Sequence, residues 1–72
     1  MKNEKRTSLK VFRVKNRLSQ EQIADKLGFS RGHYARFENG EVEITLRFLE
    51  ALTNVFGISF DEAKTITKRD NE

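Results

Sequence analysis

LSQEQIADKLGFSRGHYARFENG, residues 18–40, decides how the chain folds. Ser19 is followed three residues later by Gln22, the spacing at which each side chain satisfies an unpaired backbone N–H of a starting helix. Leu18 before that cap and Ile23 after it sit at the spacing of a hydrophobic staple. Gly28 follows Leu27 where a helix ends in a left-handed residue. Ser30 is then a second helix cap, with Phe29 and Tyr34 at the staple spacing, and Asn39-Gly40 is a second stop. The segment therefore reads as two short helices, about residues 20–27 and 31–38, joined by Gly28-Phe29-Ser30. So short a glycine-containing turn makes two helices cross steeply. Close crossing needs a small residue, and Ala24 is in place.

The same signals extend outward. Thr45 is a cap candidate, with Ile44 and Leu49 as its staple. Ser59 and Glu62 repeat the capping box, and Gly57 after Phe56 repeats the glycine stop. They predict helices over about 46–56 and 60–67, and apolar spacing predicts a first helix over about 8–16. No stretch alternates with the period of a strand. Ile23, Leu27, Tyr34 and Phe37, with Leu9 and Phe12 before them and Leu46, Leu49, Leu52, Val55 and Phe56 after, are the candidate core. Residues 8–67 thus form one domain. Residues 1–7 are expected to be a loose basic N-terminus and residues 68–72 a loose charged tail.

Composition narrows the function. The chain has 72 residues, no Cys and one His. This excludes a disulfide framework and a thiolate or His-rich metal site, so no metal or other cofactor is implied. There is no apolar run long enough for a membrane helix, and no apolar stretch follows the charged start as in a secretory signal. A cytoplasmic domain without membrane contact is expected. No recognisable acid–base motif or phosphate loop supports an enzyme, and so small a domain has little room for a pocket. The charge is uneven: residues 1–36 carry a formal +7 and residues 37–72 a formal −4. Such asymmetry suits a face offered to a polyanion, although a merely uneven solvated surface accounts for it equally well.

The third helix bears on that choice. At about 100° per residue, Tyr34 and Phe37 share its inward side, while Gly32, His33 and Arg36 turn outward. Arg31 lies nearer the edge but is long and in the first turn. The outer face, Arg31, Gly32, His33, Ala35 and Arg36, has no acidic residue. Two arginines on such a face suit guanine, which each can contact through two hydrogen bonds. His33 is a candidate for a phosphate or a thymine methyl, and equally an ordinary surface histidine.

At residues 18–40, and further over Leu9 to Ala63 including FENG and FGISFDEA, the sequence resembles the Xre/Cro/CI-type helix-turn-helix transcription regulators. The resemblance implies an all-α, compact five-helix, lambda-repressor-like domain whose third helix enters the major groove of double-stranded DNA. It implies base contacts by Arg31, Gly32 and Arg36, and backbone contacts by Gln20, Ser30, Asn39 and Gly40, with His33 a candidate beside them. It also implies a structural ion pair between Arg13 and Glu38. Four positions depart from the family pattern. Gly32 lacks the usual base-reading side chain. Glu41 and Glu43 stand where basic residues are common. Arg17 replaces a glycine between the first two helices, so Asn16 or Arg17 must supply any left-handed backbone there.

The expected function is a sequence-specific DNA-binding regulator, acting as a homodimer through the fourth and fifth helices on a palindromic operator. Ile58, Phe60 and Ile66 are candidate dimer surface. The alternative is an antitoxin or another protein-interaction module on the same fold, its acidic second half meeting a basic protein partner.

Overall fold

A computed structural model describes residues 7–69, so the expectations for residues 1–6 and 70–72 lie outside the described residues. Five helices follow in order: α1 (Leu9–Lys15), α2 (Gln20–Leu27), α3 (Arg31–Glu38), α4 (Leu46–Phe56) and α5 (Phe60–Thr67). Local chemistry sets their ends. The Ser19 hydroxyl accepts from the Gln22 N–H at 3.1 Å, and the Gln22 side chain accepts from the Ser19 N–H at 2.8 Å. Ser30 and Thr45 each accept one N–H, from His33 and Phe48. At Ser59 only half of the box forms, with the hydroxyl accepting from the Glu62 N–H. Gly28 and Gly57 close α2 and α4 in the left-handed conformation, at φ 81° and 65°.

Arg17 takes the left-handed role between α1 and α2, at φ 60°, as the only non-glycine with positive φ among the described residues. A side chain there crowds the following carbonyl. Because Arg17 is exposed, Arg17→Gly should raise stability by about 1 kcal/mol. A thermal midpoint that stays level or falls would remove this claim.

The core is Leu9, Ile23, Ala24, Leu27, Tyr34, Phe37, Phe48, Leu52 and Ala63. Ala24 is buried where α2 packs closely, as its size requires. The inward face of α4 differs from the expected one. Phe48 is fully buried, whereas Leu46 is 60% and Val55 43% exposed. Leu46 lies about 160° around the helix from Phe48, and Val55 sits in the last turn. Phe48 instead anchors a ring cluster, with its centroid 4.3 Å from Phe37 and 5.3 Å from Phe29. Phe12 and Phe56 meet edge-on at 5.0 Å and join α1 to the end of α4.

Thr7 belongs to the folded unit rather than to the charged end. It is buried, and its hydroxyl donates to the Glu38 carbonyl at 3.0 Å. It also forms an isolated antiparallel bridge with Arg69, and the next N–H, of Ser8, bonds the Ile66 carbonyl. Backbone pairing of Thr7 and Ser8 with Arg69 and Ile66 has no local sequence signal. Ile58 and Ile66 are partly buried against the core, while Phe60 stays 43% exposed.

Candidate nucleic-acid interface

The site is built on α3. Its inner side is fixed by Tyr34, Phe37 and Glu38, all buried. Its first turn is fixed by the Ser30 cap. Arg31, Gly32, His33 and Arg36 are consequently exposed together, with Ala35 half-buried among them. The first turn holds no acidic side chain, and neither arginine forms an ion pair among the described residues. A Cβ at Gly32 would meet nothing within 4 Å, and its φ lies outside the left-handed region. The fold therefore does not require glycine at this position.

Glu38 ties this helix to its neighbours. Its carboxylate accepts from Arg13 Nε at 2.8 Å, from Gln20 Nε2 at 2.9 Å and from the Tyr34 hydroxyl at 2.9 Å. Three side chains from α1, α2 and α3 thus converge on one buried acid. Arg13 also donates to the Leu18 carbonyl at 2.9 Å, which anchors the turn before α2. Burial alone would push the Glu38 carboxyl up, but the hydrogen bonds from Arg13, Gln20 and Tyr34 outweigh it and hold the group below its ordinary value. Arg13 is raised, chiefly by its hydrogen bond to Glu38, and Tyr34 is pushed up by burial and then by the neighbouring carboxylate. All three remain in their ordinary neutral-pH forms, so the network is one carboxylate shared by one guanidinium and two neutral donors.

The remaining expected residues fall as follows. Gln20 stands at the start of α2, half-buried, with its amide already donating to Glu38. Gln20 and Arg31 both line a shallow hollow with Arg13, Ser19 and Glu21, so Arg31 lies beside the start of α2. The His33 ring stacks on Phe37 at 4.7 Å and meets the Phe29 edge at 5.3 Å. Asn39 caps the end of α3 in the ordinary helical conformation, and the turn beyond it is made by Gly40 at φ 72°. Sequence reasoning found Arg13 with Glu38 but not the other two donors. Tyr34 was open to discovery, since it lies four residues before Glu38 and therefore on the same helix face. Gln20 carried no such signal.

Among the described residues no group of three His, Cys, Asp or Glu side chains is placed to hold a metal ion. No helix among the described residues is long and apolar enough to cross a membrane.

The chain matches a protein-family model described as helix-turn-helix over residues 9–62. It is 40% identical over 53 residues to the SPbeta prophage-derived uncharacterized HTH-type transcriptional regulator YonR of Bacillus subtilis (strain 168), covering 74% of this chain and 49% of that protein. It is 35% identical over 54 residues to the uncharacterized HTH-type transcriptional regulator YqaE of the same organism, covering 75% and 47% respectively. The chain spans about half the length of the curated relatives it matches. No solved structure matches it significantly.

Proposed function

The chain belongs to the helix-turn-helix family, of the Xre/Cro/CI type, and on that premise we propose that it binds double-stranded DNA sequence-specifically as a transcriptional regulator. The observation that carries this reading is the outer face of α3, with two arginines that form no ion pair among the described residues, Gly32 beside the first of them and no acid in the first turn. In the proposed complex α3 lies in the major groove, with Arg31, Gly32 and Arg36 toward the bases. Gln20, Ser30, His33 and the Asn39-Gly40 turn face the sugar–phosphate backbone. One short helix makes few base contacts, so useful specificity calls for two copies on a palindromic operator about one helical turn between half-sites. The exposed Val55 and Phe60, on α4 and α5, supply apolar surface for that homodimer.

The domain division follows from the same reading. Residues 8–67 are the DNA-binding unit, here extended to Thr7 by its buried hydrogen bonds. Nothing in this function requires catalysis or a bound cofactor, and the cell compartment it implies is the one that holds the DNA.

Selection from a randomised duplex library tests the proposal. A two-fold symmetric site should be enriched, with affinity that falls steeply as salt rises. Absence of enrichment, with only weak binding lost at physiological salt, would move the function to a protein partner, such as the toxin of an antitoxin pair.

Gly32 gives a sharper check, because fold and binding should move in opposite directions. Alanine is the better helix former, so Gly32→Ala should add about 0.5–1 kcal/mol of stability. The same methyl projects toward the DNA and should weaken binding to the selected site. If affinity holds while stability rises, Gly32 does not approach the DNA closely.

A further inference from the structure

We infer that Arg47 is an additional DNA contact, a cation preset to bind phosphodiester oxygens at the edge of the groove entered by α3. This rests on the duplex-DNA reading above, and no sequence motif drew attention to the residue. Arg47 is the second residue of α4 and is exposed. The first turn of a helix is the wrong end for a cation, because the free N–H groups there already carry partial positive charge. That turn of α4 has no acidic residue to offset it, and Arg47 forms no ion pair among the described residues. The folded chain by itself therefore gives this charge little reason to be there.

Its position is nevertheless defined. The guanidinium carbon lies 5.7 Å from the centre of the Phe29 ring, within the range of a cation–π contact. Phe29 is the turn residue immediately before the Ser30 cap of α3. Its ring also meets His33 at 5.3 Å, Phe37 at 5.7 Å and Phe48 at 5.3 Å, so it is itself held on several sides. A rigid ring thus fixes the Arg47 charge beside the start of the helix proposed to read DNA. Arg47 is carried by α4 and held at the Phe29 turn that precedes α3, so it is not part of the outer face of α3. That position suits the backbone rather than base edges.

The intervening loop strengthens the assignment. It carries Glu41 and Glu43, both exposed, and so offers phosphate no positive side chain. Arg47 is the first cation after it. Arg31 and Arg47 then stand in the first turns of α3 and α4, each in a turn without acidic residues and each near backbone N–H groups not bonded within their helices. An external polyanion would satisfy both charges and both sets of N–H groups.

The test uses the full chain and a mixed-sequence duplex, titrated at several salt concentrations for the wild type, Arg47→Ala and Arg47→Glu. Arg47→Ala should leave the thermal midpoint nearly unchanged, since losing the Phe29 contact offsets the relief at the helix start. It should lower affinity several-fold and equally on different sequences, with a salt dependence shallower by about one unit. Arg47→Glu should lower affinity further. Unchanged affinity and salt dependence in both variants, with a wild type that binds, would overturn the inference. Loss confined to one sequence would also overturn it, by making Arg47 a base reader. A wild type that fails to bind any duplex at low salt fails the underlying function instead, and is recognised before any variant is compared.

Discussion

Glu38→Ala is expected to remove about 3 kcal/mol of stability, the range seen when one partner of a buried pair is deleted. In a domain of this size each kcal/mol moves the thermal midpoint by about 4–8 °C, so the variant's midpoint should fall by about 12–24 °C. The size follows from how many groups lose their partner. The Glu38 side chain is 4% exposed, and that of Arg13 is 13% exposed. Without the carboxylate, Arg13 keeps only the Leu18 carbonyl, while the Tyr34 hydroxyl is left in the core without an acceptor. Glu38→Gln should fall between the two, since it keeps the shape but not the charge.

The wild type should show the same dependence through pH. The folded carboxyl is held below its ordinary value near 4.5. Its contribution is therefore complete above that value and is lost as pH falls from there through the folded value. The alanine variant lacks this part of the acid limb. Denaturant unfolding across that range checks both results. A midpoint within a few degrees of wild type, or an unaltered acid limb, would show that Glu38 is not the tie it is taken to be.

Arg36→Ala carries the second large effect, on DNA rather than on the fold. Affinity for the selected site should drop by about 1–3 kcal/mol, and discrimination should relax at one position of each half-site. Stability should stay within about 0.5 kcal/mol, as for an exposed substitution away from buried contacts. Arg36 is exposed, sits in the last turn of α3 and forms no ion pair among the described residues, so its removal disturbs no internal partner. Arg31 is a useful comparison. It shares a hollow with Gln20 and Ser19 at the start of α2, and as a second base contact its loss should also relax discrimination, at a different position of each half-site from Arg36. Competition between the selected duplex and single-base variants separates these patterns. An Arg36→Ala protein that binds all sequences equally more weakly would assign Arg36 to the backbone.

Much of this was legible in the chain alone, for an identifiable reason. A helix cap is a contact across three residues, and a glycine stop is a property of one. Ser19, Ser30, Thr45, Gly28 and Gly57 therefore announced the helices without reference to any distant group. The exposure of Arg36 and the burial of Tyr34 and Phe37 followed from counting around one helix. By contrast, Phe48 could be recognised as the centre of the ring cluster only once α4 was laid against Phe29 and Phe37. Gln20 could be recognised as a donor to Glu38 only once α2 crossed α3, across eighteen positions of sequence. Thr7 joined the core by pairing with Arg69 and donating to the Glu38 carbonyl, and Arg47 came to lie over Phe29 from α4. Where helices begin and end, and which face of α3 is free, can be read along the chain because both depend on near neighbours. Which acid, ring and cation meet emerges only in the folded chain, because such meetings depend on how whole helices cross.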